Sequence, residues 1–138
     1  MTDYTIIDEP KPGKFNHLII SPLIIMFASI LVPLFINLPY FGRIWIPAVW
    51  LVANGLFLGS ASIVKEIIMA IAAVALWFAI IFGSVYLSEL LPQSINFQSI
   101  FPYSRILSQA IFFFFLMYIV NLQSTAYSLY EYMHKGNK

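Results

Sequence analysis

Ionisable residues in this chain are separated by three long stretches that contain none. No Asp, Glu, Lys, Arg or His occurs between Arg43 and Lys65, within 67–88, or within 106–130. Each stretch is about as long as the roughly 20 helical residues that cross a bilayer. The spacing therefore predicts an integral membrane protein of several helices, with ionisable side chains kept out of its core.

The overall composition supports the same prediction. Of the 138 residues, 61% are hydrophobic and only 9% are charged, whereas a soluble domain has about 25% charged residues. A bilayer can solvate the outer apolar faces that water would not, so membrane lipids are expected partners. The net charge of +1 and the lack of a basic stripe argue against nucleic acid. The absence of cysteine excludes thiolate metal sites and cysteine nucleophiles.

The apolar segments predict an all-α integral membrane protein, an antiparallel bundle of four transmembrane helices. The predicted spans are 18–38, 44–64, 67–90 and 105–132. They form one transmembrane domain, 17–133, between a polar N-terminal tail, 1–16, and a C-terminal tail, 134–138. Pro33 is expected to kink the first span because it removes a backbone hydrogen bond. The loop 91–104 is expected to lie in the membrane interface.

The distribution of basic residues predicts the orientation of the chain. Four spans place both termini on one side, with five lysines there and two arginines opposite. The lysines are Lys11, Lys14, Lys65, Lys135 and Lys138, and the arginines are Arg43 and Arg105. The positive-inside rule then favours cytoplasmic termini, in a bacterial inner (plasma) membrane. A re-entrant first span would instead place the termini on opposite sides.

Small residues at helical spacing occur in the second and third spans. The second span carries Gly55, Gly59 and Ser62, and the third carries Ala72, Ala75, Ala79 and Gly83. Small side chains let membrane helices approach closely. The two sets are therefore predicted to pack against each other, although a GxxxG motif also suits contact between separate chains.

Few polar side chains interrupt the spans. The candidates for recognition are Asn54, Gln109, Asn121, Ser124 and Ser128. Asn54 is expected to make an interhelical hydrogen bond, or else to contact a substrate or ion. The last three share one face of the fourth span, which suits a polar cleft, a subunit contact or lipid headgroups.

The remaining ionisable residues predict structural roles. Lys65 and Glu66 are expected to cap the link between spans two and three, where their charges suit the helix dipoles. His17 and His134 lie outside the spans, so no haem site is predicted. No catalytic set, metal-ligand spacing or cofactor motif is found, and the chain is not expected to be an enzyme.

Three functions are compatible with these features. The leading hypothesis is a non-catalytic subunit, accessory or scaffold, of a larger inner-membrane complex, since the many aromatic residues suit protein contacts. The second is a homo-oligomeric transporter or channel for a neutral or lipid-like substrate, using Asn54, Gln109 and Asn121. The third is a holin-like or bacteriocin-immunity-type membrane protein.

Overall fold

The chain folds into α-helices joined by short links. The computed structural model describes residues 10, 16–35, 40–90 and 97–135. A 3-10 turn at Asn16–Leu18 precedes four α-helices. They are α1 (Pro22–Phe35), α2 (Tyr40–Leu58), α3 (Ile63–Leu90) and α4 (Phe97–Lys135). The prediction of an all-helical fold with four helices is confirmed for these residues.

Two of the helices are long and apolar enough to cross a membrane. They are α3 and the part of α4 over Gln98–Met133. Helix α2 has a shorter apolar section, Ile46–Leu58. Helix α1 has 14 residues, which gives about 21 Å against a hydrocarbon core of about 30 Å. Membrane crossing by all four helices therefore stays a prediction.

Helix α2 ends earlier than the predicted 64 because Gly59 terminates it. Gly59 has a φ of 66°, a left-handed conformation that favours glycine at a helix C-terminus. Its N–H donates to Leu56 O at 3.2 Å, and the Ser60 N–H donates to Gly55 O at 3.1 Å. These two hydrogen bonds form a Schellman motif. Gly59 thus lies in the link, outside the helical face on which the sequence placed it.

Helix α4 begins eight residues before the predicted start and includes much of the predicted loop. Residues 97–104 are helical, and Pro102 lies inside the helix. Pro102 lacks an N–H, but it is near the N-terminus, so only one early backbone hydrogen bond is lost. Residues 91–96 lie outside the described part. With 39 residues, α4 is about 58 Å long, well beyond the hydrocarbon core.

All four helices contribute to the core. The most extensive helix–helix contact is between α3 and α4. Within the described residues, α1 packs against α2 and α4 and makes no contact with α3. The buried apolar side chains are Ile25, Met26, Ala48, Leu51, Ala70, Ala73, Trp77, Phe112, Leu116, Ile119 and Val120.

The small residues of α3 lie on the side away from this core. Ala75 and Ala79 are exposed, and a Cβ added at Gly83 would meet no described atom within 4 Å. Between α2 and α3 an open groove of about 540 Å³ is lined by apolar side chains. We call it the apolar groove; its lining residues are Ala48, Val49, Val52, Ala53, Leu56, Ile67, Ala70, Ile71, Val74, Ala75 and Phe78. The predicted packing of this face against Gly55, Gly59 and Ser62 is not seen at Ala79 or Gly83 in the described residues, and the most extensive packing of α3 is against α4.

Several expectations concern residues that the structure does not describe. They are the N-terminal tail, except for Pro10 and Asn16, and residues 136–138 of the C-terminal tail. Helix α4 includes the first two residues assigned to that tail, 134 and 135. The kink at Pro33 and the orientation of the termini stay predictions.

Candidate functional site

Five polar side chains lie close together at the link between α2 and α3, on the side that packs against α4. We call them the polar cluster: Asn54, Ser60, Ser62, Glu66 and Gln123. Asn54, Glu66 and Gln123 are buried, and Glu66 and Gln123 have no exposed surface. The expectation of a core without ionisable side chains is therefore wrong at Glu66. The residue lies in the first turn of α3, as predicted, but it points into the protein and not to water.

Glu66 accepts hydrogen bonds on both carboxyl oxygens. Ser60 Oγ donates to Oε1 at 2.6 Å and Ser62 Oγ donates to the same atom at 2.7 Å. Gln123 Nε2 donates to Oε2 at 2.7 Å. A carboxylate only accepts hydrogen bonds, and three donors compensate part of the cost of removing it from water. The positive end of the α3 dipole adds to that compensation.

Gln123 connects Glu66 to the rest of the protein. Its Nε2 also donates to the Leu51 carbonyl at 2.7 Å, and its Oε1 accepts from Asn54 Nδ2 at 3.3 Å. Asn54 Oδ1 in turn accepts from the Ile20 N–H at 3.0 Å. The interhelical hydrogen bond expected of Asn54 is thus present, between α2 and α4. The chain of hydrogen bonds joins the segment before α1 to α2, α3 and α4.

Gly55 leaves the space that this arrangement occupies. A Cβ at Gly55 would collide with Glu66 Oε2 and would lie 2.8 Å from Gln123 Nε2. Any larger residue would push these two side chains apart. The first glycine of the GxxxG motif therefore accommodates a buried polar contact, while the second ends the helix. Ser62, predicted to belong to the same packing face, instead hydrogen-bonds Glu66.

An open polar groove lies beside the polar cluster, between the α2–α3 link and the C-terminal part of α4. It has a volume of about 700 Å³. Its lining residues are Ser60, Ala61, Ser62, Lys65, Asn121, Leu122, Thr125, Ala126, Ser128, Leu129 and Tyr132. Ser60 and Ser62 belong to both features. Their hydroxyl groups separate the Glu66 carboxyl group from the groove.

The structure divides the polar residues singled out in the sequence. Asn54 lies in the polar cluster, while Asn121 and Ser128 line the polar groove. Ser124 donates to the Val120 carbonyl at 2.7 Å and does not line the groove. Gln109 is exposed on α4, 12 residues from Asn121, which is about 18 Å along the helix. Asn54, Gln109 and Asn121 therefore do not form one site.

Sequence reasoning missed the role of Gln123, and its spacing contained a signal. It follows the buried residues Leu116, Ile119 and Val120 at helical intervals, so it continues the core face of α4. The role of Glu66 was harder to find because its position suits a solvated helix start equally well. Its partner from α4, Gln123, lies 57 residues away in sequence.

The amide and carboxyl groups of the polar cluster are engaged with one another. Each buried amide and carboxyl group of the cluster has a hydrogen-bond partner. In the described part of the chain, no group of three or more His, Cys, Asp or Glu side chains is placed to hold a metal ion. Comparison with protein-family models, curated proteins and solved structures finds no match.

Proposed function

We propose that this protein is a small, non-catalytic, multi-pass membrane subunit, an accessory or scaffold component of a larger inner-membrane complex. The observation that carries the proposal is the open small-residue face of α3. Ala75 and Ala79 are exposed, and a Cβ at Gly83 would meet no atom of the described residues within 4 Å. Ala75 also lines the apolar groove, so the two features adjoin.

An open face of this kind suits a helix from another subunit. Membrane helices have no hydrophobic drive to associate, so close packing across small residues supplies much of their attraction. Large side chains around the face, among them Phe82 and Tyr86, are exposed as well. A partner helix would gain both the close approach and aromatic contact area.

The polar cluster supports a structural role for the buried polar residues. Gln123 uses both hydrogens of its amide and its carbonyl oxygen within the protein. Asn54 likewise bonds through its amide nitrogen and its oxygen. Groups engaged in this way hold helices in register, and they leave little hydrogen-bonding capacity for a substrate.

The proposal is tested by filling the open face. Ala79→Leu and Gly83→Leu add bulk where a partner helix would pack, while Ala110→Leu adds bulk at an exposed position of α4. In native mass spectrometry from a mild detergent, wild type and Ala110→Leu are expected to carry foreign subunits in fixed ratio. Both α3 variants should lose them. A stable wild-type monomer without partners in its native membrane would overturn the proposal.

The proposed topology has four membrane crossings with both termini in the cytoplasm. The chain has no cysteine, so single cysteines can be introduced without a background. Lys138→Cys should react with an impermeant thiol reagent only from the cytoplasmic side, and Ser99→Cys only from the opposite side. Labelling of both from one side would contradict the proposed topology.

The buried carboxyl group of Glu66 favours a second function, a homo-oligomeric transporter or channel for a neutral or lipid-like substrate. Ionisable side chains buried in membrane proteins often mark transport pathways. Under this alternative, wild type purifies as a homo-oligomer and moves a labelled phospholipid or neutral solute across reconstituted vesicles. Glu66→Gln should abolish that transport, whereas Arg105→Gln should not. Transport unaffected by Glu66→Gln would exclude a role for this residue.

A further inference from the structure

We infer that the polar groove binds the headgroup of an anionic phospholipid, with its phosphate at Lys65. The inference rests on the membrane placement in the proposed function. It does not depend on a partner subunit. The argument uses the depth of the groove, its charge and its available hydrogen-bond donors.

The groove lies at the boundary between apolar and polar segments. The membrane-length apolar helix α3 starts at Ile63, and the uninterrupted apolar stretch of α4 ends at Val120. The groove is lined by 60–65 on one side and by residues of 121–132 on the other. In a bilayer, that level is where the hydrocarbon core gives way to phosphate groups. Tyr132 at the rim is 80% exposed, as expected of an interfacial aromatic side chain.

The charge in the groove suits an anion. Lys65 is exposed there and forms no ion pair with the described residues. The neighbouring carboxyl group of Glu66 is directed inward, and its oxygens are occupied by Ser60, Ser62 and Gln123. Lys65 is the one basic residue among the lining residues of the groove, and basic side chains close to the cytoplasmic membrane surface attract anionic lipid headgroups.

Hydrogen-bond donors and an apolar surface complete the groove. Asn121 and Thr125 are exposed, and neither side chain bonds another described residue. Leu122, Ala126 and Leu129 supply apolar contact beside them. A headgroup presents the same combination, with phosphate and hydroxyl groups next to the ester-linked start of the acyl chains.

The experiment uses the full-length protein in nanodiscs made of equal parts phosphatidylglycerol and phosphatidylcholine. The lipid retained after mild detergent release is counted by native mass spectrometry. Wild type should retain phosphatidylglycerol in preference to phosphatidylcholine. Lys65→Gln should reduce the retained phosphatidylglycerol about five-fold, which is the effect of one basic residue on binding to an anionic surface. Lys65→Arg keeps the positive charge and should retain as much phosphatidylglycerol as wild type.

Two further variants distinguish a headgroup bound in the groove from non-specific electrostatic attraction between the protein and anionic lipid. Arg105→Gln removes one positive charge about 24 Å from Asn121 along α4 and should leave lipid retention unchanged. Thr125→Trp keeps the charge but fills the groove, and it should displace the lipid. Its fold is checked by the thermal unfolding temperature, which should match that of wild type.

Four outcomes would overturn the inference. Equal retention of the two lipids, or retention unaffected by both Lys65→Gln and Thr125→Trp, would show that the groove binds no headgroup. A copurifying protein displaced by Thr125→Trp, with lipid unchanged, would assign the groove to a protein contact. Release of the protein from membranes by alkaline carbonate would instead overturn the membrane placement itself, and the proposed function with it.

Discussion

The polar cluster and the polar groove lie side by side and share Ser60 and Ser62, but their side chains have different roles. In the cluster, amide and carboxyl groups are buried and bond one another across α2, α3 and α4. In the groove, the side chains of Asn121, Thr125 and Lys65 are exposed and make no hydrogen bond or ion pair with the described residues. Residue type alone therefore does not identify a binding site. What matters is whether the fold already supplies the hydrogen-bond partners.

Removal of Gln123 should have the largest effect, because its amide joins the buried groups of the polar cluster. Gln123→Leu keeps a similar volume but leaves Glu66 Oε2, Asn54 Nδ2 and the Leu51 carbonyl without their partner. Buried groups left unpaired should lower the free energy of unfolding by roughly 3–5 kcal/mol. Thermal unfolding in a mild detergent measures the loss. A variant as stable as wild type would show that water reaches the cluster and replaces the amide.

Alanine substitutions at Gly55 and Gly83 should give the next largest difference in the free energy of unfolding, because Gly55 lies in the interior and Gly83 on an open face. Gly55→Ala forces a methyl group against Glu66 and Gln123 and should cost roughly 1–3 kcal/mol. Gly83→Ala meets open space and should stabilise α3 by about 0.5–1 kcal/mol, because alanine favours a helix. The same unfolding measurement compares both variants. Equal effects of the two changes would contradict the assignment of Gly55 to the cluster.

The smallest effect on stability is expected in the groove. Asn121→Leu removes an exposed amide without a described partner, so the free energy of unfolding should change by no more than about 0.5 kcal/mol. Retention of phosphatidylglycerol should nevertheless fall, because a hydrogen-bond donor is lost. A large loss of stability would instead place Asn121 in the structural network with Gln123.

The packing of α3 shows what helical periodicity can predict about a helix face and what it cannot. The pattern places Ala72, Ala75, Ala79 and Gly83 on one side of the helix, which follows from 3.6 residues per turn. It cannot tell which neighbour lies against that side. In the structure the opposite face, with Ala73, Trp77 and Ser84, is buried. Trp77 and the small residues both suit helix packing, so the choice between the faces depended on α4.

The structure separates the predicted recognition residues for a similar reason. Asn54 stood out because a lone amide in an apolar span needs a partner, and it has one. Its partner Gln123 is 69 residues away, and no local pattern specifies a contact over that distance. The groove residues Asn121 and Ser128 were identified from their position where α4 becomes polar. Ser124 shares their face of the fourth span by its spacing, and Gln109 is a further polar residue of that span, yet neither lines the groove.

The helical fold and the position of the longest apolar segments could be read from the sequence, since periodicity and hydropathy are local properties. The sequence also supplied the glycine that ends α2, although the motif suggested a different role. The burial of Glu66, the space that Gly55 leaves for it and the exposure of the small face of α3 among the described residues followed from helix packing and could not be read from the sequence. The physical reason is that burial depends on which helices pack together. A carboxyl group at the start of a helix is solvated or enclosed according to whether a distant residue such as Gln123 reaches it.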